Sequence, residues 1–87
     1  MAAYRVLIKT SATKELAAVE PRGIRVKIVA RIQGLSTSPR PQGSERLAGS
    51  GERYRIRQGD YRIVYSVDDS AQVVEVVKIG HRREVYR

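Results

Sequence analysis

Apolar and polar residues alternate at both ends of this chain and recur at helical spacing between them. Tyr4, Val6 and Ile8 alternate with Arg5, Leu7 and Lys9, the period-two pattern of an opening strand buried on one face and partly covered on the other. Ser11 is placed to cap a helix in which Ala12, Leu16 and Val19 share a face while Lys14 and Glu15 turn outward. Pro21 suits the first turn of a second helix. There Ile24, Ile28, Ile32 and Leu35 form one apolar stripe, with Arg22, Arg25 and Arg31 toward solvent. These patterns predict an αα-hairpin packed by that stripe against a sheet.

Residues 36–51 lack periodicity and carry Pro39, Pro41, Gly43, Gly49 and Gly51, all breakers of regular structure. They read as a surface connection, with Leu47 an anchor or part of a short strand. Strands follow over residues 53–58, 61–67 and 72–79, joined by Gly59-Asp60 and by Asp68-Asp69-Ser70. Such short links cannot carry parallel crossovers, so these pairs are expected to be antiparallel. The predicted class is α+β: an N-terminal strand, a two-helix hairpin, then an antiparallel β-sheet, with residues 1–87 forming one domain.

Charge changes the picture of the strand faces. Lys plus Arg number 17 against 9 acids, a formal net charge of +8, and 13 of the 17 are arginine. Both halves of the chain share the excess, so no detachable basic tail carries it. Arginine's planar fork holds phosphate or carboxylate by two contacts, which points to an anionic polymer or an acidic protein as partner. Strand alternation places Arg53, Arg55 and Arg57 on one face and Tyr54 and Ile56 on the other. Like charges at that spacing repel unless anions or a partner sit there. Arg62, between Tyr61 and Ile63, is expected on the same side as that row, and His81-Arg82-Arg83 adds cations at the end of the last strand.

Other chemistry is limited. The chain has no cysteine and one histidine, which leaves no thiolate nucleophile and no unaided metal site; no cofactor is expected. Neither a P-loop nor a dinucleotide fingerprint occurs. Val6-Leu7-Ile8 is the longest large-apolar run near the N-terminus, too short for a signal core or membrane span, so a cytoplasmic protein with no membrane partner is expected. Tyr4, Tyr54, Tyr61 and Tyr65 fall in alternating apolar patterns and read as core or half-core residues, whereas Tyr86 follows charged residues.

Tyr54-Arg55-Ile56-Arg57-Gln58-Gly59-Asp60-Tyr61-Arg62-Ile63-Val64-Tyr65, the Val-rich strand after it and Gly80-His81-Arg82-Arg83-Glu84-Val85-Tyr86 resemble the RelE branch of the RelE/ParE toxin superfamily. The resemblance covers nearly the whole chain. It implies a toxin of a type II toxin–antitoxin system, a metal-independent endoribonuclease that cleaves translated mRNA in the ribosomal A site. Its implied partners are a cognate antitoxin, in a hetero-oligomer, and the ribosome with its mRNA. It further implies that Arg55 and Arg57 contact RNA, with Arg83 beside them, and that Arg62, Arg82 and Tyr86 are catalytic.

On chemical grounds Tyr86 is the candidate base, Arg62 and Arg82 would hold the scissile phosphate, and His81 could return a proton to the leaving oxygen. Where some relatives carry lysines, Arg55 and Arg57 can stabilise charge but cannot act as bases. Two alternatives stand beside this reading. One is a ParE-like poison of DNA gyrase; the other is a non-catalytic basic module that binds antitoxin or RNA.

Overall fold

A computed structural model describes residues 3–48 and 52–81 of the chain. Strand β1 (Arg5–Ile8) hands the chain almost directly to α1 (Thr10–Ala17), and α2 (Arg22–Gly34) follows. A connection leads to the two-residue β2 (Glu45–Arg46), then β3 (Arg53–Gln58), β4 (Tyr61–Asp68) and β5 (Val73–His81). One five-stranded sheet results, in the order β1-β5-β4-β3-β2. The β2/β3, β3/β4 and β4/β5 pairs are antiparallel, as the short links require, and β1 lies parallel to β5. No helix among the described residues is long and apolar enough to cross a membrane.

The core lies between the helices and one sheet face. Ile28, Ile32 and Leu35 of the α2 stripe are buried with Tyr54, Ile56, Ile63, Tyr65, Val67, Val74, Val76 and Ile79, while Ile24 packs against them from the margin. Tyr54 and Tyr65 stack at 5.9 Å between ring centroids, and Tyr4 and Tyr61 are partly buried against the core. The tyrosines of the alternating segments therefore serve packing. Burying the large apolar side chains contributes on the order of 1.5–3 kcal/mol each.

Several local expectations are corrected. Ser11 is not the cap of α1: Lys9 holds that position, with no side-chain cap, and Ser11 lies inside the first turn. The Lys9 amide donates to the Val76 carbonyl at 2.9 Å, so strand pairing persists to the residue where the helix begins. Pro21 stands at the cap of α2, just before its first turn. Arg25 and Arg31 are half-buried, not turned to solvent. Arg25 Nη1 donates to the Ala17 carbonyl at 3.0 Å, supplying a donor where the end of α1 leaves carbonyls without partners. The Arg31 Nε is shut away from water. Strand β5 runs on through His81, beyond the expected end at Ile79.

The Pro-rich connection is latched to the sheet. Arg40 donates through Nη1 and Nη2 to the two Asp69 oxygens, at 3.2 and 2.7 Å, and through Nε to the Tyr54 hydroxyl at 2.9 Å. The Tyr4 hydroxyl donates to Asp69 Oδ1 at 2.6 Å, and Tyr65 donates to the Pro39 carbonyl at 2.8 Å. Hydrogen bonds from Arg40 and then from Tyr4 hold the Asp69 carboxyl below its ordinary value. A carboxyl lowered on folding stabilises the native state above its unfolded pKa, and that contribution is lost as pH falls through the native value. Wild type is therefore expected to melt above Asp69→Asn at neutral pH, with the gap closing in acid. Melting curves across that range check this, and a gap independent of pH would remove the charged latch.

Candidate nucleic-acid interface

Strand register gathers the arginines on the sheet face opposite the helices. In β3, Tyr54 and Ile56 point into the core, which turns Arg53, Arg55 and Arg57 outward. Arg57 and Arg62 are direct cross-strand partners, as are Arg55 and Val64, so Arg62 joins the row on the same face. Opposite Arg62 on β5 stands Gly80, which has no side chain to place over the guanidinium. Lys78, the β5 partner of Val64, has its amine committed elsewhere: Nζ donates to Glu15 Oε2 on α1 at 2.7 Å.

This cationic cluster is partly withdrawn from water. Arg62 is 7% exposed, the Arg55 side chain 11%, and Arg57 is exposed. Burial first, then the neighbouring Arg62 and Arg57 charges, push the Arg55 guanidinium below its ordinary value. Crowding cations in low dielectric costs free energy that a bound anion offsets. Phosphate oxygens fit, because three guanidinium forks at strand spacing can each donate two hydrogen bonds. Such a face can bind a polyanion and stabilise negative charge that builds up on it.

Of the other residues singled out in the sequence, His81 is placed elsewhere. It is the cross-strand partner of Tyr61, and the two rings meet edge to face at 5.7 Å. Tyr61 packs against the core, so His81 shares the helix side of the sheet and the arginines share the other. The expected β5 end at Ile79 concealed this, since the face of residue 81 follows only once the strand is known to reach it. Arg82, Arg83 and Tyr86 lie outside the described residues.

The register also adds a residue that the sequence reading passed over. Glu45 of β2 is the cross-strand partner of Arg55, and their side chains form an ion pair. Only the closure of the following loop, where the Leu47 amide donates to the Arg53 carbonyl at 2.8 Å, brings it there. The one local signal was Leu47, which marked the segment as a possible short strand.

Residues 6–86 match the family described as the ParE toxin of the type II toxin-antitoxin system parDE. Toxin RelG of Mycobacterium tuberculosis is 30% identical over 87 residues, covering 97% of each chain. This chain belongs to the RelE/ParE superfamily. A chain of the archaeal RelE-RelB complex from Pyrococcus horikoshii OT3 superposes with a TM-score of 0.80 at 31% identity, over 91% of this chain and 94% of that one. The isolated RelE toxin of E. coli superposes at 0.79 and 31% identity, over 97% and 92%. The family description names ParE, while these relatives carry RelE and RelG names; the chain is a RelE-type toxin of the superfamily, a type II toxin by family.

Proposed function

We propose that this RelE-type toxin is a ribosome-dependent endoribonuclease that cuts translated mRNA in the ribosomal A site by phosphoryl transfer run by its own side chains. The observation that carries this reading is the row of Arg55, Arg57 and Arg62 on one face, with Arg55 desolvated and crowded by like charge. Arg62, joined by Arg82 from the segment after β5, holds the scissile phosphate, while Arg55, Arg57 and Arg83 hold neighbouring phosphates. Tyr86 takes the proton from the ribose 2′-hydroxyl. A phenol with a pKa near about 10 needs nearby cations to favour its phenolate at neutral pH, and Arg82 and Arg83 precede it closely in sequence. The 2′-oxygen attacks the adjacent phosphorus as the bond to the 5′-oxygen breaks, and the leaving 5′-oxygen takes a proton from solvent water, giving a 2′,3′-cyclic phosphate and a 5′-hydroxyl. Arginine donors stabilise the charge that builds on the phosphoryl oxygens. His81 sits beside Tyr61 on the other face, and no role in this step is assigned to it.

The partner that silences such a toxin is a cognate antitoxin in a hetero-oligomer in the cytoplasm. RelE-RelB complexes are known for the archaeal and E. coli relatives. Besides the arginine face, the α1/α2 hairpin offers a groove lined by Leu16, Val26, Val29 and Ala30 and flanked by Arg22 and Arg25. An amphipathic segment with acidic flanks suits it. Association with the antitoxin is expected to slow as salt rises, because opposite charges steer the encounter; stopped-flow rates independent of ionic strength would remove that steering.

Among its described residues the cationic face carries no projecting aromatic, and such a face holds RNA by its phosphates and does not splay bases. Naked RNA should therefore be cut far more slowly than A-site mRNA, since the ribosome supplies the positioning. Mapping mRNA 3′ ends in a translating extract tests the function. Codon-phased ends on translated message support it. Uncut message together with gyrase-dependent DNA breaks would establish the ParE-like alternative, and neither event would leave a binding module.

A further inference from the structure

Glu75 of β5 shares the arginine face but lies two strands from Arg53, across Ser66, while Glu45 is set directly against Arg55, and its placement suggests more than an ion pair. Glu45 faces Arg55 across β2 and β3, and its carboxylate contacts the Arg55 Nη2. The two side chains differ in exposure, 57% for Glu45 and 11% for Arg55, so the carboxylate approaches from the solvent side, the direction from which a ligand would come. Strand β2 is two residues long and forms the sheet edge, so moving it disturbs little of the core. The other acid on β2–β4, Asp68, accepts the Ala71 amide at 3.0 Å within its own turn.

A carboxylate presents oxygens to a guanidinium fork much as a phosphodiester does. We propose that Glu45 is an internal counter-anion: it occupies the phosphate position at Arg55 in the unbound toxin and is displaced when RNA binds. This inference rests on reading the arginine face as an RNA-phosphate site. Glu45 relieves the repulsion within the row while no ligand is present, and RNA must break that contact to gain Arg55. The exchange lowers affinity for RNA held by phosphates alone. Substrate that arrives with further contacts, as on a ribosome, is penalised proportionately less.

Fluorescence anisotropy with a 5′-fluorescein-labelled 2′-O-methyl RNA, which cannot be cleaved through its 2′-oxygen, tests the proposal on the full chain. At low salt Glu45→Gln is expected to bind about 3- to 10-fold tighter than wild type, while Glu20→Gln, an equal charge change at the α1/α2 junction, changes affinity by less than about 2-fold. The gain should vanish in an Arg55→Ala background. Glu45→Ala, with its own melting curve, should show the same gain and covers the case in which the glutamine variant fails to fold. Equal effects of Glu45→Gln and Glu20→Gln, weaker binding, or a gain that survives loss of Arg55 would overturn the counter-anion role alone. Wild type and Arg55→Ala binding RNA equally would overturn the arginine-face reading together with it.

Discussion

Tyr86→Phe is expected to slow single-turnover cleavage on programmed ribosomes by about 10²- to 10⁴-fold, the range for losing a general acid or base. The substitution removes one hydroxyl and keeps the ring, so folding and antitoxin binding should stay near wild type. A tyrosine that served only as an anchor through a buried hydrogen bond would give the reverse, a stability loss of about 1 kcal/mol with chemistry intact. Arg82→Lys should also lose rate despite keeping its charge, because a point charge cannot replace a two-point fork on phosphate. Wild-type cleavage by Tyr86→Phe, with ribosome binding shown intact, would return the residue to packing.

The second large effect is at Arg62, which the register places next to Arg57 and opposite Gly80. Arg62→Lys is expected to slow the same reaction by about 10²- to 10³-fold, the loss seen when one preorganised donor to a developing oxyanion is removed. Because Arg62 is nearly withdrawn from water, the lysine variant is preferable to alanine: it keeps a cation and most of the side-chain volume. A melting temperature near wild type with a slow chemical step assigns Arg62 to the transition state. A fall in KM-type affinity alone, with the single-turnover rate unchanged at saturating ribosomes, would assign it to binding.

The same residues show how far the sequence could be read. Alternation in β3 and β4 was enough to put Arg55, Arg57 and Arg62 on one face, because side-chain direction is a local property of a strand and a two-residue turn fixes the pairing. The helix stripe at Ile28, Ile32 and Leu35 was legible for the same reason. What escaped depends on contacts distant in sequence. The parallel pairing of β1 with β5 joins Arg5 to Val73; nothing near either residue encodes the other. Glu45 meets Arg55 only after the intervening loop closes, and His81 takes its face from a register that shifts between Val64 and Tyr65, where a bulge lets one strand carry an extra residue. Arg25 and Arg31 escape this reading because helical periodicity marks the buried stripe well but says little about flanking side chains long enough to reach a neighbouring helix end, as Arg25 does, or to withdraw a polar atom from water, as Arg31 does.

Cleavage by the arginine face is most directly tested by the chemical identity of the ends it leaves. Programmed ribosomes carrying end-labelled mRNA would be treated with the toxin, and the upstream fragment examined for its 3′ terminus, alongside a message with a single 2′-deoxynucleotide at the cut site. A 2′,3′-cyclic phosphate, a downstream 5′-hydroxyl and no cutting of the deoxy-substituted message are expected, since the attacking 2′-oxygen is then missing. A 3′-hydroxyl with a downstream 5′-phosphate, or undiminished cutting at the deoxy position, would contradict attack by the ribose and with it the roles given to Arg62 and Tyr86.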